Sequence, residues 1–314
     1  MKEKITLDLR CVDRVCKKGK LDLDSILQVR DDCIEGFLSC KYCNTEYPIL
    51  DGVPLLVENF NKYASQRINT FGKWIVNCKS SRIKSYLKSE GLKIHGPTMS
   101  DRYEENGSWY DSYLHFRYDF PPDDRLLSSL KKEIKPDNIY KMLADENLSL
   151  DGIGLDIGCS IGSSTFELSK KLSYVFGIDL SFSFILEARK IMQNRTIDNI
   201  EFVVADATNL PFESHFFQSI VALNVIDRID FYKLVTSVSG CLKKQGKLII
   251  IDPYDFVDNN SKDKLDSIQI RKKLESMGYN TEPGDSYIPW ILRVNERCYL
   301  FYFVDLVVAT KINK

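Results

Sequence analysis

Asp156, Asp179, Asp206, Asn224 and Asp252 each stand at or beside the end of a short apolar run. Brought to one edge, such side chains accept hydrogen bonds from hydroxyl and amino groups. The turn Gly158-Cys159-Ser160-Ile161-Gly162 falls between the first two. Gly158 and Gly162 let the backbone pass close under a ligand with no Cβ in the way, and the helix start beyond them offers unpaired N–H groups. Asp179 follows Gly158 by 21 residues, where a carboxylate at a strand end can take both hydroxyls of a ribose. A dinucleotide site would want G-x-G-x-x-G, whose middle glycine admits a pyrophosphate. Ser160 holds that place here, so the spacing points to a nucleoside without one.

A second group with chemistry lies near the N-terminus. Cys40 and Cys43 form C-x-x-C, and Cys11 and Cys16 form a looser C-x4-C pair separated from it by 23 residues. Four thiolates suit a tetrahedral Zn²⁺ and leave no open coordination position, so such a metal is expected to be structural. Cys33 is an alternative ligand to Cys11 or Cys16. So small a unit buries too little apolar area to stand alone, and the metal would supply much of its folding free energy. The competing reading is a zinc-free remnant whose cysteines simply pack.

Both groups need elements to position them. Residues 153–157, 174–178, 200–205, 217–223 and 246–251 read as strands buried on both faces. Helical stretches alternate with them at 165–172, at 182–192 with Ser181 as the cap, and at 231–242. The alternation predicts an α/β, doubly wound parallel sheet with ligands at its carboxyl edge. Residues 287–294 and 298–310 read as an antiparallel pair closing that sheet. Upstream, 68–92 reads as one helix and 125–144 as one or two. The aromatic stretch 109–119, which includes His115 and Tyr118, reads as a helix over the site.

The pattern Asp156-x-Gly158-x-x-x-Gly162 resembles motif I of class I S-adenosylmethionine-dependent methyltransferases. Asp206-Ala207 followed by Leu210-Pro211-Phe212 is similar to the segment after the third strand of that family. The resemblance covers residues 105–314 and implies a Rossmann-like seven-stranded sheet binding S-adenosyl-L-methionine. Asp156 would then face the methionine end and Asp206 the adenine amino group. Cys159, Ser160, Leu180, Ala207 and Asn224 would complete the cofactor site. Residues 1–58, with Tyr47-Pro48 and Gly52-Val53-Pro54 after the second cysteine pair, resemble the zinc-ribbon proteins that activate tRNA, rRNA and release-factor methyltransferases. Residues 59–104 would form a helical linker or lid between the two. The 166–188 run, the Asp252-Pro253-Tyr254-Asp255 end of strand five and the text 288–299 with Arg293 and Arg297 look similar to mercaptohistidine methyltransferase domains. That likeness implies a small polar, amino-acid-derived or peptide acceptor. Asp252, Tyr254 and His115 would be candidate bases, and Tyr118 and Arg297 would orient the acceptor.

Composition narrows the alternatives. The 314 residues carry a formal net charge of −1 with no long basic tract, which argues against a nucleic-acid partner. An RNA methyltransferase and a non-catalytic scaffold working through its ribbon are the competing readings, and the ribbon leaves room for a protein partner. No apolar run reaches the roughly 20 residues of a membrane helix, and the first residues lack the apolar core of a signal peptide. Nine cysteines without an export signal predict reduced thiols and a cytoplasmic protein.

Overall fold

The computed structural model describes residues 1–16, 18–94, 138–143, 150–255, 265–282, 284–293 and 298–312. Four strands come first: β1 (Leu21–Val29), β2 (Asp32–Cys40), β3 (Glu46–Leu50) and β4 (Val53–Leu56). Helices α1 (Phe60–Ser65), α2 (Ile68–Asn77), α3 (Ser81–Gly91) and α4 (Asn138–Leu143) follow. The alternating part then runs β5 (Ile153–Ile157), α5 (Ser163–Leu168), β6 (Tyr174–Asp179), α6 (Phe182–Asn194), β7 (Ile200–Ala205), β8 (Phe217–Leu223), α7 (Phe231–Cys241) and β9 (Leu242–Asp252). Helix α8 (Ser267–Ser276) and strands β10 (Tyr279–Glu282), β11 (Ile288–Arg293) and β12 (Tyr299–Lys311) complete the described chain.

Strands β7, β6, β5, β8 and β9 lie side by side and parallel, in that order. Antiparallel β12 follows β9, and antiparallel β10 follows β12. This is the Rossmann-like fold of class I methyltransferases. Its strands are largely apolar because both faces are covered. On β7, Phe202 and Val204 face a cluster with Phe182, Ile185 and Ala188 of α6. Val203 and Ala205 face the opposite cluster with Phe176, Ile178 and Phe212. Fully burying a side chain such as Phe202 contributes about 3 kcal/mol.

The expected antiparallel tail pair forms, but another strand closes the edge of the sheet. Residues 279–282 form the outermost strand, with Tyr279 opposite Lys311 and Glu282 opposite Val308. Strand β11 instead pairs with the first half of β12, Ile288 opposite Val304 and Arg293 opposite Tyr299. The 13-residue β12 accommodates both, because it runs on past its pairing of Asp305 with Asp252 of β9.

The N-terminal strands join the same sheet. Strand β4 runs parallel to β7, with Leu55 opposite Val204 and Leu56 opposite Ala205, so a single twelve-stranded sheet spans cysteine module and α/β core. The expected 68–92 helix is broken at Cys78-Lys79-Ser80. There the buried Glu35 carboxylate accepts the Lys79 and Ser80 N–H groups, each at 2.6 Å, and Ser80 caps α3 through the Ile83 N–H. A distant acid ends one helix and starts the next. The helices of this region pack on the α6 face: Trp74 meets Phe182 edge-on at 5.1 Å, and the Tyr63 hydroxyl donates to the Leu180 carbonyl at 2.8 Å.

Candidate functional site

The glycine turn is fixed by what lies around it. Gly158 has φ +68°, and a Cβ there would come within 2.6 Å of a Val225 methyl. Gly162, at φ +91°, starts α5 with the Phe202 ring 2.9 Å from where its Cβ would be. Between them the Cys159 N–H donates to the Ile178 carbonyl at 3.0 Å, and the Ser160 N–H to Asp179 Oδ2 at 3.0 Å. Asp179 Oδ1 accepts the Ser181 N–H at 2.8 Å. The turn and the acid are thus one unit before any ligand arrives. Asp156 is fully buried behind it, where its Oδ2 accepts the Ser164 and Thr165 hydroxyls, both at 2.6 Å.

A cavity of about 500 Å³ opens above the parallel strand ends. Gly158, Ser160, Asp179 and Leu180 line one side, and Asp206, Ala207 and Asn224 the other. Seven of the ten expected cofactor residues are thereby brought together. Asp156, Cys159 and Gly162 are not among its walls: they hold the turn from below. Asp206 is oriented by Thr208, whose N–H and hydroxyl both reach Oδ1, at 2.8 and 2.7 Å. Asn224 has φ +55° and its N–H bonds the Ile251 carbonyl at 2.7 Å. Both polar atoms of its carboxamide are buried without a hydrogen-bond partner among the described residues. Buried polar groups are normally paired, so this amide fits a site that a polar ligand completes. Phe184, Val225 and Arg228 also line the cavity. Sequence reasoning missed them because they follow strand ends as ordinary loop and helix residues.

The end of β9 is held by its own chain. Asp252 is fully buried, and its carboxylate accepts the N–H groups of Val225 and Ile226 at 3.0 Å and of Tyr254 at 2.8 Å. Burial, aided by the nearby Asp227 carboxylate, pushes it up to about 8, against the pull of those three bonds. Those three bonds clamp two strand ends together. Tyr254, at φ +58°, is half-buried, and its hydroxyl has no partner among the described residues. Burial pushes that phenol up. His115, Tyr118 and Arg297 lie outside the described residues.

In the cysteine module, the sulfurs of Cys11, Cys16, Cys40 and Cys43 all lie within 4.8 Å of one another. Cys16 and Cys40 are 3.2 Å apart, Cys11 and Cys43 3.6 Å. A zinc tetrahedron of thiolates has an edge of about 3.8 Å, so the set fits that ion. Cys33 is not in this group; its sulfur sits against Gly36. Burial pushes the Cys11 thiol up, and a bound cation would favour its thiolate. The Tyr47 hydroxyl lies 3.1 Å from Cys11 Sγ and accepts the Val12 and Asp13 N–H groups at 3.2 Å. The same loop docks on the segment after Ala207. Asn209 Nδ2 donates to the Val12 carbonyl at 2.7 Å, the Arg10 N–H to the Pro211 carbonyl at 2.8 Å, and Lys18 Nζ to the Leu210 carbonyl.

Residues 155–250 match the family described as "Methyltransferase domain". Over that stretch the core of this chain is similar to methyltransferase domains. Among known proteins, MJ0638 of Methanocaldococcus jannaschii, an uncharacterized protein, is 26% identical over 133 residues, 42% of this chain and 55% of that protein. Phosphoethanolamine N-methyltransferase 1 of Zea mays is 37% identical over 103 residues, 31% of this chain and 20% of that protein. The chain thus spans about half or less of the length of these two relatives. Among solved structures, the YcgJ protein from Bacillus subtilis overlaps 56% of this chain and 100% of its own, with 15% identity and a TM-score of 0.47. Among the described residues, no helix is long and apolar enough to cross a membrane.

Proposed function

We propose that the chain is an S-adenosylmethionine-dependent methyltransferase acting on a small polar, amino-acid-derived or peptide acceptor by in-line displacement. The observation that carries this is the strand-end cavity, with Asp179 and Asp206 on its walls and the unpartnered Asn224 carboxamide between. S-adenosylmethionine supplies a methyl carbon on a positively charged sulfur. Asp179 accepts the ribose hydroxyls, Asp206 the adenine amino group, and Asn224 bonds the methionine end. Gly158 and Ser160 keep the floor of the site free of bulk. The remaining work is alignment of nucleophile, carbon and sulfur, from which proximity yields most of the acceleration. Tyr254, with His115, Tyr118 and Arg297, belongs to the acceptor side of this reading.

The four cysteines hold a structural zinc in the same proposal, since they leave no open coordination position. Nine cysteines, none of them in a disulfide, favour a reducing, cytoplasmic setting. The exposed Val15 and Tyr42 on the two knuckles offer a contact for a protein partner. A small acceptor is favoured over RNA by the near-neutral charge and by the phosphoethanolamine substrate in the maize relative's name. Isothermal titration with S-adenosylmethionine and its demethylated product tests the reading. Saturable heat with both is expected; silence from both overturns it. Activity that falls steeply with added salt would favour a polyanionic acceptor instead.

A further inference from the structure

A second hollow, of about 440 Å³, lies between the outer face of α7, the segment after Ala207 and Lys18 of the cysteine loop. Leu234, Val235, Val238 and Cys241 of α7 are buried. Tyr232, Lys233, Thr236, Ser237 and Gly240 therefore turn the other way and line the hollow. Among the described residues, its walls carry two ammonium groups, Lys18 and Lys233, one carboxamide, five hydroxyls and no carboxylate. The cofactor cavity, which shares Thr208 with it, has the reverse character: Asp179, Asp206 and Asp230 against Arg228. Gly240 sits within α7, where alanine would be the better helix former, yet a Cβ there would meet nothing within 4 Å. Packing does not ask for that glycine; it leaves bare space over the hollow. Lys18 has φ +70°, a region uncommon for such a residue, and its Nζ is held at the wall by the Leu210 carbonyl. Lys233 is 71% exposed and stands 3.8 Å from Asp230, too far for a hydrogen bond. At the rim, Lys273 Nζ donates to the Tyr232 hydroxyl at 2.5 Å, which leaves the phenol's own proton to give.

We propose that this hollow binds a small organic phosphate, separately from the cofactor. A phosphate monoester carries three strong acceptor oxygens and about 1.5 to 2 negative charges at neutral pH. Ammonium groups serve it as point charges, and the hydroxyls around them supply further donors. A carboxylate, with two oxygens in one plane, would use fewer of those donors. The volume lies in the range of small-molecule sites, so it takes more than the phosphate alone. The half-exposed Tyr232 ring and the bare Gly240 backbone offer a surface to the organic part. Lys18 comes from the cysteine loop and Lys233 from α7, so one ligand would bridge two separate segments. This site stands apart from the methyltransferase reading and does not depend on it.

The test is isothermal titration of the full zinc-loaded chain, with and without saturating S-adenosylhomocysteine. The probes are glycerol 3-phosphate and adenosine 5′-monophosphate, with glycerol and adenosine as their uncharged counterparts. With the cofactor cavity filled, saturable binding of at least one phosphate is expected, about tenfold or more tighter than its counterpart and weaker as salt is added. Lys233→Gln should lower that affinity by about tenfold, the worth of one charge-assisted hydrogen bond. Gly240→Ala should lower it by about as much by filling the space, while the melting temperature stays level or rises. That combination separates a blocked site from a damaged fold. No saturable heat from either phosphate at millimolar concentration, equal binding of the uncharged counterparts, or unchanged affinity in both variants would overturn the proposal. So would displacement of the phosphate by S-adenosylhomocysteine, or a single-stranded RNA oligomer that binds far more tightly than the mononucleotide. The titrations of the unmodified chain decide the matter even where a variant does not fold. Failure of S-adenosylhomocysteine itself to bind would instead bring down the methyltransferase reading and leave this site standing.

Discussion

The cofactor cavity and the cysteine cluster hold their ligands in opposite ways. Around the cavity, the acids are already engaged by their own chain. Asp156 takes two hydroxyls, Asp179 two backbone N–H groups, Asp206 both donors of Thr208, and Asp252 three backbone N–H groups. In the cluster, four sulfurs face chiefly one another, with the Tyr47 and Thr45 hydroxyls nearby. One region is held by its own hydrogen bonds; the other gathers four sulfurs in the arrangement a cation would complete. The lesson concerns where ligand removal is felt. Emptying the cavity should leave the fold intact, whereas emptying the cluster should unsettle a module that shares its sheet with the cavity.

Cysteine replacement therefore gives the largest expected effect. Cys40→Ser should abolish the roughly one zinc per chain that the full set of ligands predicts. It should also lower the melting temperature by on the order of 10 °C, because metal binding energy is folding energy in such modules. Removing the cofactor by dialysis should lower it far less, since that change is limited to ligand linkage. Metal analysis and calorimetry on the same preparations check both. A Cys40→Ser protein that melts like the parent would break the contrast.

Asp252→Asn comes next. It leaves one acceptor oxygen where three N–H groups converge, so a loss of about 2–4 kcal/mol in unfolding free energy is expected. Its pH signature is the sharper test. The folded carboxyl titrates near 8 and the unfolded one near 3.8, so between these values the folded state binds the extra proton. Its stabilising share is complete below the lower value and is lost as pH rises through the upper one. Denaturation midpoints of the parent should thus decline across that window, and those of the Asn variant should be flatter. Equal slopes would mean that Asp252 is charged in the fold at neutral pH.

How much of this could be read in the sequence follows the same divide. Strand ends and the glycine turn were legible because each is local: an apolar run, a small-residue break, then an acid. The strands at 153–157, 200–205 and 217–223 stand where the pattern puts them. The cysteine pairs were legible for the same reason. What stayed hidden depends on pairing between distant segments. Nothing in Leu55-Leu56 announces that they will lie beside Val204-Ala205. Asp252 looks like its fellow strand-end acids until the Val225 and Ile226 N–H groups are found beneath it. Glu35, which breaks a helix 44 residues away in sequence, carries no local mark of that role.

Asp179→Ala should separate the two regions from the cavity side. It removes the acceptor expected for the ribose hydroxyls together with the bonds that fix Ser160 and Ser181. Cofactor affinity should fall by about 10- to 100-fold, the worth of one or two charge-assisted hydrogen bonds. Zinc content should not change. Affinity within a factor of two of the parent, measured by titration, would show that the carboxylate serves only the turn.

The smallest effect belongs to the seam. Asn209 Nδ2 reaches from the segment beside Asp206 to the Val12 carbonyl, next to Cys11. Further ties between the cysteine loop and that segment come from Arg10, to the Pro211 carbonyl and to Glu213, and from Lys18. Asn209→Ala removes a neutral, half-buried bond, so a stability loss of about 1 kcal/mol is expected. Because Asp206 and Thr208 sit directly before it, cofactor affinity should weaken by about two- to threefold even though zinc stays bound. A metal-replete Asn209→Ala protein with normal stability and normal affinity would show that the shared strand pairing, β4 on β7, carries all the coupling. Weaker cofactor binding at full zinc occupancy would show instead that the loop itself sets the position of the wall.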